Sequence, residues 1–385
     1  MSPHNHVPYD GVAKDHHSEC SVPRRTNSKL TFSRGWLKHI ANETVAIAES
    51  GTYTNHNGRP VNIRKALQYS IDNSVHYHSS HVFTLTATTN DKKDKNEQHE
   101  PQCDHDLVTR SPKSVIPPKM RTTSTTTKPS PSLFKKTEYS IIYGSSLDVA
   151  MYLQATYPDD GHVGILNSAS GKSPGGKFFR GTISQEDCIC RASLLYPCLK
   201  KFENVPHQYY YVNNKPKYQA SSSACAIFSP KVPIIREDTV QGDLLDTYQT
   251  FSFVSIPAPN AFVLGKCQEA KSVPKAQTPG AQQRNEDYET IPLKEALHDR
   301  CFRALCMFAQ NGCTDLVLCA YGCGVHGNNP TKIAKTFRNI LSTPEFKGRF
   351  RTVAFAIQPS RKANYKAFVD VFPKAGRFVM DSEYR

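Results

Sequence analysis

Hydrophobic residues show no period over residues 1–28, and that stretch reads as a disordered tail. From Trp36 onward the pattern becomes helical. Leu37, Ile40, Ala41, Thr44 and Ala48 share one face, and Gly51 is placed to end the run. Asn57-Gly58 marks a tight turn, and a second short helix is expected from about Ile63 to Ser70. Periodicity is then lost over residues 86–133. Asp91 to Glu100 is almost wholly polar, and Thr122 to Pro131 is a Thr/Ser/Pro/Lys low-complexity run. Such a segment cannot bury a face and is expected to be a linker or disordered insertion.

Regular alternation begins at Glu138. Strands are expected at Tyr139–Tyr143, Val163–Leu166, Ala224–Phe228, Thr250–Ile256, Asp315–Tyr321 and Thr352–Ile357. Helices are expected at Leu147–Ala155, Gln185–Cys198, Leu293–Ala309, Thr331–Leu341 and Lys362–Val371, with a polar insertion near residues 267–287. Strands alternating with helices predict an α/β layer fold with a largely parallel sheet. Ligands of such sheets bind outside the carboxyl ends of the strands.

Composition adds three constraints. Lys and Arg exceed Asp and Glu by 48 to 34, a net charge of +14, which favours an anionic partner. Six basic residues and no acid lie between Ser111 and Lys136. That stretch reads first as a solvated linker and second as a weak nucleic-acid tether. The 12 cysteines form no C-x-x-C pair, so zinc ribbons and thioredoxin-like sites lack their spacing. Reduced thiols in the cytoplasm or nucleus are expected. No apolar signal core follows Met1 and no run reaches the ~18 residues of a membrane span, so no membrane association is expected.

Two glycine-rich loops follow predicted strands. Gly322-Cys323-Gly324-Val325-His326-Gly327-Asn328 is a G-x-G-x-x-G between strand and helix, a form that lets main-chain amides approach a diphosphate. The acid that a dinucleotide fold needs after the next strand is missing, since that strand ends Ala356-Ile357-Gln358. Asn167 to Phe178 holds the second loop, where Gly171 to Lys177 matches the front of a P-loop. Phe178 then stands where a magnesium-binding Ser or Thr is required. Shortly beyond it lie Gln185-Glu186-Asp187, at the start of a predicted helix. Paired carboxylates suit acid catalysis on a sugar bond. Acids in a first helical turn also simply complement the helix dipole. His76, His78 and His81 read as solvated rather than metal-binding.

Together these motifs resemble the microbial-type poly(ADP-ribose) glycohydrolase family, whose signature is G-G-G followed after a short spacer by Q-E-E. The matching residues are Gly175-Gly176-Lys177 and Gln185-Glu186-Asp187. Tyr209 to Asn213, Ile227 to Pro233, Pro257 to Ala261 and Gly322 to Asn328 also look like family segments, and the resemblance runs from about Ser33 to Phe372. It implies a macrodomain-like three-layer α/β/α fold with a mixed, largely parallel sheet. Residues 29–85 would form an N-terminal helical module and residues 134–385 the catalytic domain.

The resemblance also implies roles. Gly322, Gly324, Val325 and Gly327 would cradle the diphosphate of ADP-ribose. Gly175 and Gly176 would lie against the distal ribose. Glu186 would bind the ribose hydroxyls, and Asp187 would be the catalytic acid. Asn167, Lys177, Gln185, His326 and Asn328 would line the same ligand. No metal and no cofactor are implied. The expected activity is hydrolysis of the ribose C1″ O-glycosidic bond of poly(ADP-ribose) or an ADP-ribosylated conjugate, with an ADP-ribose-binding module as the alternative. Lys177 replaces the third signature glycine, Asp187 the last glutamate and His326 the usual phenylalanine. A shorter acid and a bulkier loop favour the alternative.

Overall fold

The structure is a computed structural model that describes residues 33–86, 88–89, 130–131, 134–158, 161–218, 222–265, 291–358 and 360–380. The expected tail, the insertion at 267–287 and nearly all of 86–133, with its basic stretch, lie outside the described residues.

Helix α1 (Arg34–Ser50) starts at Ser33, whose hydroxyl accepts the Trp36 amide, and stops at Gly51, which adopts φ 74° and donates to the Ile47 carbonyl. The hairpin β1 (Thr52–Thr54) and β2 (Pro60–Asn62) turns at Gly58, and α2 (Arg64–Asp72) and β3 (Val75–Tyr77) follow. A two-residue parallel pairing joins β4 (Thr88–Thr89) to β5 (Ser130–Pro131). Next come β6 (Glu138–Tyr143), α3 (Ser146–Thr156), β7 (Val163–Ser168), α4 (Gln185–Ala192), α5 (Leu195–Lys200) and α6 (Tyr209–Asn213). The long strands β8 (Ala226–Arg236) and β9 (Leu244–Ile256) precede α7, described over 261–265. The chain closes with α8 (Leu293–Gln310), β10 (Asp315–Cys319), α9 (Pro330–Leu341), β11 (Thr352–Ile357), α10 (Lys362–Val371) and β12 (Gly376–Val379).

Eight of the described strands form one sheet in the order β12-β6-β11-β10-β7-β9-β8-β3. Pairing from β12 to β9 is parallel, whereas β8 and β3 add antiparallel pairs at one side. Central strands such as β11 are buried along their whole length, because helices cover both faces. Val317 and Ala354 face a core that includes Ile189, Leu195 and Leu153. Their neighbours Leu318 and Phe355 face the opposite core, with Phe337, Phe368 and Leu305. This is the mixed, largely parallel α/β/α sandwich expected.

Helix α1 docks through polar groups as well as apolar ones. Trp36 Nε1 donates to the Val240 carbonyl, and Thr44 Oγ1 donates to the Arg191 carbonyl at 2.8 Å. The buried Arg236 reaches Thr44 Oγ1, the Gly242 carbonyl and Glu43. Thr44 is thus a structural anchor between α1 and α4.

Three local expectations are corrected. The helix read over Gln185–Cys198 is two helices. Ser193 is extended, at φ −133° and ψ 170°, and bridges to Ile234, while the Leu194 amide donates to the Pro233 carbonyl. Sheet pairing outweighs helical continuation there. Strand β8 runs past Pro230 and Pro233, which end the apparent strand in the sequence. A register shift between Ser229 and Val232 accommodates Pro230 and a positive φ at Lys231. The edge strands β3 and β12 carry too few apolar residues to stand out in the sequence.

Candidate functional site

Strands β10, β7 and β9 are neighbours in the parallel part of the sheet, so the loops at their carboxyl ends converge. They are the 320–329 loop, the 169–184 loop and the Pro257–Asn260 turn.

The 169–184 loop is built around Ser170, whose hydroxyl accepts the amides of Lys172 and Ser173. Gly175 and Gly176 then adopt φ 66° and 63°, a left-handed pair open to glycine. A Cβ on Gly176 would stand 3.0 Å from Glu186 Oε2 and 3.1 Å from Asp187 Oδ1. The loop main chain therefore lies directly on both carboxyl groups. Lys177 is exposed and sits at φ −124°, a conformation any residue adopts. Phe178 is fully buried and its ring packs against Tyr196.

The two acids have different surroundings. Asp187 occupies the third position of α4 and closes a capping box with Ser184. Its Oδ2 accepts the Ser184 amide at 2.8 Å, and its Oδ1 accepts the Lys177 amide at 2.9 Å. Glu186 is 2% exposed; its Oε2 accepts the Ser170 amide at 2.7 Å, and its Oε1 is buried with no partner. Burial pushes the Glu186 carboxyl up to about 8; the Ser170 amide opposes the shift and the neighbouring Asp187 charge adds to it.

Three more buried polar atoms are left unpartnered near this acid. Asn167 donates to Ser255 Oγ, leaving its own Oδ1 free. The hydroxyls of Tyr209 and Tyr210 are also unpartnered; burial and then the Glu186 charge push both phenols well up. Buried polar groups of this kind are normally hydrogen-bonded, to protein, ligand or ordered water. Gln185 is a strut instead. Its Oε1 accepts the Ser168 amide, and its Nε2 donates to Ser146 Oγ and the Leu166 carbonyl, tying α4 to β7.

In the 320–329 loop, Gly322 at φ 66° packs on Asn328, where a Cβ would collide with the side-chain amide. Asn328 Nδ2 donates to the Pro259 carbonyl, and its buried Oδ1 has no partner. The His326 carbonyl accepts the Ala261 amide, and Gly327 at φ 65° lies under the exposed Phe262 ring. Among the described residues, no atom accepts the amides of Gly324, Val325 and His326. Val325 is 80% exposed. Three such amides ahead of a helix N-terminus have the chemistry that suits an anion. Burial lowers the His326 pKa, so its ring is neutral at pH 7 and offers stacking rather than charge.

The structure thus brings Asn167 at the end of β7, Gly175, Gly176 and Lys177 in the loop after it, and Gln185, Glu186 and Asp187 at the start of α4 together. Gly322, Gly324, Val325, His326, Gly327 and Asn328 stand on the adjacent strand's loop. Sequence reading missed Ser170, the hydroxyl–amide box at Ser184 and the two tyrosine hydroxyls. Of these, only the Ser-x-x-Asp spacing carried a signal. The P-loop reading fails, because Lys177 leads into a 3-10 turn at Phe178–Arg180 rather than a helix. Among the described residues no group of three His, Cys, Asp or Glu is placed to hold a metal. Burial pushes the Cys188 thiol up to about 12, so it is no nucleophile at neutral pH. A second polar cluster, His162 Nε2 at 2.8 Å from Ser252 Oγ, lies at the opposite strand ends, with Ser252 fully buried.

The family profile described as microbial-type PARG, catalytic domain, matches residues 41–237. No curated protein matches the chain. Among solved structures, the poly(ADP-ribose) glycohydrolase of Thermomonospora curvata is similar at 26% identity and a TM-score of 0.62, covering 87% of this chain and 99% of that one. The same enzyme bound to the inhibitor ADP-HPD is similar at 25% identity and a TM-score of 0.60, covering 87% and 98%. The poly(ADP-ribose) glycohydrolase of Deinococcus radiodurans in complex with ADP-ribose is similar at 30% identity and a TM-score of 0.50, covering 62% and 84%.

Proposed function

The chain belongs to the microbial-type poly(ADP-ribose) glycohydrolase family, and on that premise we propose that it hydrolyses the ribose C1″ O-glycosidic bond of poly(ADP-ribose) or of an ADP-ribosylated conjugate. The observation that carries the reading is the buried carboxyl pair Glu186–Asp187, pressed against Gly176 beside the amides of Gly324, Val325 and His326. The related enzymes bind ADP-ribose and ADP-HPD, which combine an anionic diphosphate with a ribose or its analogue.

The amides of Gly324, Val325 and His326 suit the diphosphate. The left-handed Gly175–Gly176 pair lets the ribose approach the acids at van der Waals distance. Asn167 Oδ1, Asn328 Oδ1 and the two tyrosine hydroxyls supply unpartnered groups for sugar hydroxyls and ordered water. A carboxylic acid then protonates the departing oxygen as the C1″–O bond breaks. The resulting carboxylate takes a proton from the water that adds to the oxocarbenium-like carbon. No cofactor enters this chemistry.

We read residues 29–85 as a module that braces α4 through Thr44, and residues 134–385 as the catalytic domain. No described helix is long and apolar enough to cross a membrane. The nine described cysteines are free, which suits the cytoplasm or nucleus. A weak nucleic-acid contact through the basic stretch rests on residues outside the described ones.

One observation favours a binding module instead: both oxygens of Asp187 are engaged by main-chain amides. Incubation with poly(ADP-ribose) and with mono-ADP-ribosylated protein, followed by measurement of free ADP-ribose, separates the two. Release supports the hydrolase. Calorimetric binding of ADP-ribose with no release from either substrate supports the module.

A further inference from the structure

Three cationic side chains, Lys172, Lys177 and Arg180, crown the glycine loop, and all three are exposed. We propose that they form a subsite for the leaving side of the substrate, holding the diphosphate of the second ADP-ribose unit of a poly(ADP-ribose) chain. The proposal rests on the hydrolase reading above and narrows its substrate from any conjugate to the polymer.

The loop sets the three side by side. The Gly176 amide donates to the Ser173 carbonyl at 3.1 Å, closing a tight turn that Lys172 and Lys177 flank. Ser173 Oγ also donates to the Gly176 carbonyl, at 3.0 Å. Arg180 stands one 3-10 turn further on, its amide donating to the Lys177 carbonyl at 2.8 Å. Main chain and a serine hydroxyl make these ties, so the charged ends stay available. Among the described residues none of the three side chains has an ion-pair or hydrogen-bond partner.

The surroundings do not neutralise them. From Gly161 to Phe202 the only acids are Glu186 and Asp187, both 2% exposed. The next acid along the chain, Glu203, is paired with Lys200 at 3.1 Å. The neighbouring elements add charge of the same sign. Gly181 lies against the Arg34 carbonyl at the start of α1, and Arg34 is exposed. Asn214 Nδ2, just past α6, donates to the Lys172 carbonyl at 3.2 Å, and Lys215 beside it stands 5.0 Å from the centre of the Tyr211 ring. A rim of one sign around a cleft concentrates anions there.

Position decides which anion. The 320–329 loop suits the diphosphate of the unit being released, and Gly175–Gly176 its ribose. Lys177 follows at once, its amide donating to Asp187 Oδ1 at 2.9 Å. The rim therefore begins where that unit ends, at the scissile bond. In poly(ADP-ribose) the leaving oxygen belongs to the ribose of a second unit, which carries a diphosphate of its own. A mono-ADP-ribosylated protein side chain has no phosphate there. The glycine that the resemblance places at position 177 brings no charge, so the lysine strengthens the hold on the polymer rather than on ADP-ribose itself.

The test measures binding of poly(ADP-ribose) and of free ADP-ribose across about 50 to 200 mM salt, in the Glu186→Gln background so that the polymer survives the measurement. Adding Lys172→Gln, Lys177→Gln and Arg180→Gln together should lower polymer affinity about 10-fold more than ADP-ribose affinity at the lower salt. The slope of log polymer affinity against log salt should flatten by about 2. Lys172→Arg, Lys177→Arg and Arg180→Lys together keep the charges and should bind the polymer within about threefold of the parent. Equal losses for the two ligands, or an unchanged polymer affinity, overturn the proposal. A single-stranded oligonucleotide that binds the parent more tightly than the polymer does, and loses that affinity in the neutralised variant, overturns it too, because the rim then takes nucleic acid. Absence of ADP-ribose release by wild type overturns the hydrolase reading instead, a result of a separate assay and distinct from all of these.

Discussion

Lys177 donates its main-chain N–H to the Asp187 carboxylate at 2.9 Å, so the third position of the glycine loop is tied to α4 by its main chain and not by its own side chain. The resemblance places a glycine there. The conformation, φ −124° and ψ 24°, does not demand one, and the side chain points into open surface. Lys177→Gly should therefore leave the loop path intact. It should lower stability by about 0.4–1 kcal/mol through the freer unfolded chain. The denaturant midpoint, with an unchanged slope, checks this.

Gly176→Ala should behave in the opposite way. Its φ of 63° disfavours a side chain, and the new methyl would meet both carboxyl groups at 3.0 and 3.1 Å. A shift of about 1 Å at the reacting acid costs roughly 10²-fold in rate. We expect that loss in kcat, together with a destabilisation of about 1–2 kcal/mol. Kinetics at wild-type activity would contradict the close approach.

Stability should depend on pH through Glu186. Its folded carboxyl titrates near 8, against 4.5 for the ordinary group. Between these values the unfolded chain has released the proton and the folded chain retains it. This contribution is therefore greatest below about 4.5 and is lost as pH rises toward 8, by up to about 1.4 kcal/mol per pH unit. Glu186→Gln has no such titration, so its melting-temperature advantage over wild type should grow from pH 5 to pH 8. Parallel melting curves across that range would show that the carboxyl is not held protonated.

Docking of α1 should depend on Arg236, which is 4% exposed and bonds to Thr44, Gly242 and Glu43. Arg236→Ala should cost roughly 2–3 kcal/mol. The loosening should be local. Amide exchange should speed up in α1 and leave β10 and β11 unchanged. Equal protection loss across the sheet would contradict an independent docking contact.

The parts of this account that were legible in the sequence are those with a strong local rule. Glycine spacing exposed both loops, because left-handed and close-approach positions exclude other residues. The continuous apolar run Thr352–Ile357 exposed a doubly covered strand. The break at Ser193 was hidden because it depends on Ile234 and Pro233, some 40 residues away, offering a better hydrogen-bonding geometry than the helix. The extent of β8 was hidden by Pro230 and Pro233, which a register shift renders harmless. At the site, two readings of adjacent acids were open, dipole complement and catalysis. In the structure Asp187 closes the box with Ser184, which the Ser-x-x-Asp spacing signals, and also accepts the Lys177 amide, which lies ten residues upstream and is located by no sequence pattern. The Glu186 environment was equally invisible, because burial and an absent partner are tertiary properties.

The most direct measurement is ADP-ribose release from poly(ADP-ribose) at neutral pH by wild type and Glu186→Gln, with calorimetric ADP-ribose binding on both. Both proteins should bind, wild type should release ADP-ribose, and release should fall at least about 10²-fold in Glu186→Gln. Binding by both with equal release, or with no release by either, would contradict it.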